Sequence, residues 1–181
     1  MENVNKWKSA ATDGLILSAV TIVYGLITNL LNMAGGGDGF TGKSIITVIL
    51  WLAKFSGALY LLFLFMKQYA SKFETLQYGA IFGYGSRVCI FSSIVCACWG
   101  YFSMVVLFPK QTSQAMDQIM SVASQYDESQ MEAMQTLFDH LPQISLFGNL
   151  LYCIIFGIIA AAIIANFTKK VNPFDNPNET A

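Results

Sequence analysis

The stretch ILWLAKFSGALYLLFLFM, residues 49–66, is apolar from end to end except for Lys54 and a few small or polar-tipped residues. It lies inside a longer segment, Ser44 to Met66, whose one charge is Lys54. Three other segments carry no charge at all: Gly14 to Met33, Val88 to Phe108 and Leu146 to Phe167. A helix crosses a bilayer core with about 20 apolar residues, and uncharged runs of 18 or more read as spans. The pattern predicts four spans, over about 14–33, 44–66, 81–108 and 146–167.

Composition points the same way. Hydrophobic residues make up 55% of the chain and charged residues only 12%, with a mean hydropathy of +0.52. A soluble domain needs about 25% charged residues to cover its surface. In hydrocarbon every backbone N–H and C=O must be paired within the structure, so only helices or closed barrels survive. Barrel strands alternate apolar and polar residues, and IIFGIIAAAII at 154–164 does not alternate. The expected fold is therefore all-α: one integral membrane domain, 1–181, built as a four-helix bundle. Its lipid partner is the bilayer.

The amino terminus resembles a secretion signal, since Lys6 and Lys8 precede an apolar run. That run is longer than a cleavable h-region, and LLNMAGGG lacks an A-x-A site. The reading is an uncleaved first span with Trp7 as an interfacial anchor. Orientation follows from lysine and arginine near the spans. Lys6, Lys8, Lys67, Lys72, Arg87, Lys169 and Lys170 fall on one side, against Lys43 and Lys110 on the other. This bias predicts both termini in the cytoplasm of a bacterial inner membrane.

The connection between spans 3 and 4, about 109–145, is then external and acidic, with Asp117, Asp127, Glu128, Glu132 and Asp139. Met116, Ile119, Met120 and Ala123 recur at helical spacing, as do Met131, Met134, Phe138 and Leu141. DESQ at 127–130 reads as a capping box. Two short amphipathic helices are expected, hinged near Tyr126. They read either as a lid over the helix ends or as a docking surface formed by Met116, Met120, Tyr126, Met131 and Met134, since methionine adapts to irregular partners.

Motifs with chemistry are sparse. Cys89, Cys96, Cys98 and Cys153 all lie in predicted spans and read as small packing residues. Cys96 and Cys98 stand about 200° apart on a helix and cannot share a metal. His140 is the single histidine. Gly79 and Gly83 have the Gly-x-x-x-Gly spacing of close-packed membrane helices. Arg87 lies near a span end, where it can snorkel to phosphates. No cofactor, metal or nucleic-acid partner is expected.

Lys54 is the residue that asks for a partner. It lies 10 residues past Ser44, which puts its Cα about 15 Å below the boundary of the span. A lysine side chain is too short to carry its ammonium from there to the headgroups. Trp51 is its helical neighbour, and Tyr24, Thr28, Asn29, Asn149 and Tyr152 fall at matching depth on other spans. The expectation is a polar pocket of these seven residues.

Several stretches also resemble a known family. These are SAATDGLILSAVTIVYGLI (9–27), LQYGAIFGYGSRVCIFSSIVCACWGYFSMVVLFPK (76–110), SQYDESQMEAM (124–134) and LFGNLLYCIIFGIIAAAIIANFTKKVNPF (146–174). In their order and punctuation they are similar to domain of unknown function 4199, small membrane proteins of Bacteroidetes. The resemblance implies four spans in an inner membrane and no assigned catalytic residues. It also brings forward a polyprenyl-phosphate glycosyltransferase as a partner. Three function classes follow: an accessory or scaffold subunit binding another membrane protein, a small oligomeric transporter or channel, and a membrane enzyme. The first is expected. The second would need a homo-oligomer lined by intramembrane charge, and the third has no carboxylate within the expected spans and no recognisable pair among the external acids.

Overall fold

A computed structural model describes residues 6–34, 40–123 and 135–170. The described chain is all-α. In order it runs through α1 (Lys6–Ala34), α2 (Phe40–Ser71), α3 (Tyr78–Phe102), α4 (Pro109–Ala123), a short helical piece α5 (residues 135–139) and α6 (Leu141–Thr168). Four segments are long and apolar enough to cross a membrane: Lys6–Leu31, Ile45–Ser71, Tyr78–Leu107 and Leu141–Thr168. These are the four spans expected from the uncharged runs. The helices overrun most of the apolar cores, because helical hydrogen bonding remains the simplest way to satisfy backbone groups on entering the interface.

Contacts divide the described chain into two compact units. The first comprises residues 1–92 and 153–181, so it holds α1, α2, the first part of α3 and the last part of α6. The four spans meet there. Ala10 and Leu17 of α1, Leu62, Met66, Tyr69 and Ala70 of α2, Ile81, Tyr84, Val88 and Cys89 of α3, and Ala160, Ala161, Ile164 and Ala165 of α6 form one buried cluster. On α2, α3 and α6 these positions recur three and four residues apart, and on α1 seven apart, which is one face of a helix. The start of α1, the end of α2, the start of α3 and the end of α6 therefore pack together.

Small residues permit the close approach. A Cβ at Gly14 would stand 2.8 Å from the Phe91 Cβ and from the Val88 carbonyl oxygen, so α1 lies against α3. A Cβ at Gly157 would stand 2.7 Å from the Cys89 Cβ, and the Cys89 thiol donates to the Gly157 carbonyl at 3.4 Å. At Gly85 the limit is the side chain of Met66, 2.8 Å away. By contrast, Gly79 and Gly83 have nothing within 4 Å of a built Cβ. The Gly-x-x-x-Gly spacing is present, but the close helix contacts use other glycines. Spacing alone does not say which side of a helix meets a neighbour.

The loop between α2 and α3 is tied to the end of α6. Leu76 and Lys170 exchange backbone hydrogen bonds of 3.1 and 3.2 Å, and the Lys170 ammonium donates to the Phe73 carbonyl at 3.1 Å.

The second unit covers residues 93–152. Here α3 loosens into a π-helical turn, Ser103–Leu107, before leaving helix at Phe108. The cause is Pro109, which disfavours helical geometry at the residue before it and then starts α4 at a position where its missing N–H costs nothing. The α4 helix has the strongest apolar–polar division of the described helices. Within it Met116 and Met120 are half-buried and Asp117 and Gln118 exposed, so the first expected loop helix exists; Ile119, expected on the same face as the two methionines, is exposed. Cys96 is buried and Cys98 exposed, as their spacing on one helix requires.

Candidate functional site

The seven residues of the expected polar pocket fall into both units. Lys54, Trp51, Tyr24, Thr28 and Asn29 belong to the first, and Asn149 and Tyr152 to the second. In the first unit α1 and α2 run against each other, which brings the Lys54 ammonium over the Tyr24 ring, 4.9 Å from its centroid. A cation over an aromatic face is stabilised by about 0.5–2 kcal/mol. That offsets part of the roughly 2.5–3.5 kcal/mol that a mid-span lysine costs.

The nearby polar groups of α1 serve their own helix. The Thr28 hydroxyl donates to the Tyr24 and Gly25 carbonyls at 2.9 and 3.0 Å, and the Asn29 amide donates to the Gly25 carbonyl at 2.8 Å. Inside hydrocarbon this is how a short polar side chain is made cheap. Trp51 stacks on Phe55, centroids 5.6 Å apart, and Phe55 meets the edge of Phe156 at 5.3 Å. In the second unit the Asn149 amide donates to the Cys96 carbonyl at 3.4 Å, and Tyr152 is largely exposed. Of the expected loop surface, Met116 and Met120 lie on α4, while Tyr126, Met131 and Met134, with the DESQ capping box, lie outside the described residues.

A second polar group was not anticipated from the sequence. Tyr84, only 1% exposed, donates its phenol proton to the Asp13 carboxylate, and the Ser9 hydroxyl lies 3.0 Å from the same phenol oxygen. With the phenol proton directed at Asp13, Ser9 is the donor to Tyr84. The Tyr84 ring lies flat on Tyr69 of α2, centroids 3.9 Å apart and planes within 4°. One turn further along α3, Arg87 places its guanidinium 4.9 Å from the Trp7 ring centroid, and Trp7 also meets the edge of Phe91. Arg87, expected to reach for phosphates, is thus held against the aromatic anchor at the start of α1.

These contacts bind α3 to α1 and α2 through hydrogen bonds and rings, which in lipid supply association that the hydrophobic effect cannot. The signal that could have found the group was an acid one residue before an apolar run, with Ser9 four residues earlier on the same helical face. Among the described residues no set of three His, Cys, Asp or Glu side chains is gathered as metal ligands would be.

No curated protein and no solved structure matches the chain. The family model described as Protein of unknown function (DUF4199) matches residues 12–170. That match takes in most of the first span and the whole of the other three, with the Asp13–Tyr84 and Lys54–Tyr24 contacts, and the chain belongs to that family.

Proposed function

We propose that the chain is a non-catalytic accessory or scaffold subunit that binds another membrane protein in an inner membrane, with both termini in the cytoplasm. The observation that carries the reading is the first half of α2. From Ile45 to Ala53 all residues but Leu50 are exposed, including Ile45, Ile46, Val48, Ile49, Trp51 and Leu52 at 47–58%. Lipid can cover the apolar side chains. A helix segment this exposed that keeps a lysine at mid-depth presents a polar feature for which lipid is a poor solvent.

The orientation is supported by where the cations fall. Lys6, Lys8, Lys67, Lys72, Arg87, Lys169 and Lys170 all flank the end of the first unit at which the four spans pack, and positive residues favour the cytoplasmic side. A polyprenyl-phosphate glycosyltransferase is the partner class that the family resemblance brings forward.

Purification from native membranes in a mild detergent, followed by mass spectrometry, tests the reading. A second membrane protein in fixed stoichiometry supports it. A homo-oligomer alone overturns it in favour of a small channel or transporter around Lys54. For orientation, a reporter fused after Ala181 is expected to register the cytoplasm and one inserted near Tyr126 the exterior. Reversed signals would overturn the orientation.

A further inference from the structure

We infer that the first half of α2 docks a transmembrane helix carrying an aspartate or glutamate at the depth of Lys54. The inference rests on the accessory-subunit reading and names the chemistry of the partner.

The argument begins with charge. Within the spans Lys6–Leu31 and Ile45–Ser71 the single carboxylate is Asp13. It precedes Tyr24 on α1 by 11 residues, about 16 Å along the helix, and it already accepts the Tyr84 phenol proton. That distance exceeds the roughly 6 Å reach of a lysine side chain. Among the described residues the ammonium lies over the Tyr24 ring, whose face supplies attraction but no hydrogen-bond acceptor.

Shape agrees with charge. Gly57, three residues past Lys54 and so on its face of the helix, has nothing within 4 Å of a built Cβ. Ala53 beside Lys54 is exposed. Small residues let a second helix approach closely in lipid, and the hydrogen bond of an ammonium to a carboxylate then forms where water cannot compete. A headgroup phosphate answers the charge but lies too far toward the surface.

The test uses the full-length protein in its native membrane. A photocrosslinking amino acid replaces Ala53, and the captured peptide is sequenced. The expected product is a transmembrane segment of another protein with Asp or Glu within one turn of the crosslinked position. Lys54→Met should lower its yield at least tenfold and Lys54→Arg should retain it. Lys54→Asp combined with a lysine in place of the partner's acid should restore it, which also controls for folding of the single variants. A captured helix without a carboxylate, or a yield indifferent to Lys54→Met, overturns the inference and leaves the accessory-subunit reading standing. Crosslinks to lipid or to a second copy of this chain overturn both.

Discussion

The two ends of the α1–α2 pair are built from similar residues and behave differently. At the end where the four spans pack, Ala10, Met66, Ile81, Val88, Ala161 and Ala165 are wholly buried. At the other end Leu26, Ile27, Leu30 and Leu31 of α1 and Ile45 to Ile49 of α2 are as apolar or more so, yet mostly exposed. In water such a contrast would follow hydrophobicity. In a bilayer it cannot, since lipid tails solvate leucine as well as another helix does. The packed end is held by close fit at Gly14, Gly85 and Gly157 and by the Ser9–Tyr84–Asp13 bonds. At the other end the Lys54 ammonium lies over the Tyr24 ring. What assembles these helices is steric fit and polar pairing.

If so, damage at the two ends should differ sharply. Gly14→Val drives a side chain into the Val88 carbonyl and the Phe91 Cβ. It should cost about 3 kcal/mol or more, at the upper end of overpacking effects. Gly83→Val, with nothing within 4 Å, should leave the midpoint of thermal unfolding in detergent nearly unchanged. Equal losses would remove steric fit as the explanation.

Met66→Ala empties a fully buried site between α2, α3 and α6. A cost of about 2–4 kcal/mol is expected from lost packing contacts. Leu52→Ala, at a site 51% exposed, should stay within about 0.5 kcal/mol in the same denaturant titration.

Tyr84→Phe keeps the ring on Tyr69 and removes only the hydroxyl that joins Ser9 to Asp13. Leaving a part-buried carboxylate without its donor should destabilise by about 1–3 kcal/mol. Adding Asp13→Asn should recover part of that loss, because the amide carries no charge to strand. A double-mutant cycle that shows no coupling would reduce the contact to coincidence.

Lys54→Met should affect the isolated protein less than Gly14→Val, Met66→Ala or Tyr84→Phe, by under about 1 kcal/mol. It loses a cation–π contact and gains an apolar side chain in an apolar span. A collapse of folding in this variant would make Lys54 a packing residue of the α1–α2 pair.

How much of this was legible beforehand follows from what each signal depends on. Four spans could be read from the length of the uncharged runs, because the bilayer imposes a thickness and a ban on unpaired backbone whatever the neighbours do. The start of α4 could be read from Pro109, and its face from the spacing of Met116 and Met120, because α4 alternates apolar and polar character. The inward faces of the spans could not be read. Apolar residues surround each of those helices on every side, so no periodic contrast marks the face that meets a partner.

Lys54 announced the need for a partner, but the Tyr24 ring emerges only when α1 and α2 are side by side. Asp13 and Tyr84 are 71 positions apart and in different spans. Gly14, Gly85 and Gly157 look no different in the chain from Gly79 and Gly83. The sequence by itself determined how many helices are long and apolar enough to cross a membrane. Only the tertiary structure decided which faces meet, because in lipid that choice depends on the fit of particular atoms rather than on an average preference for water or oil.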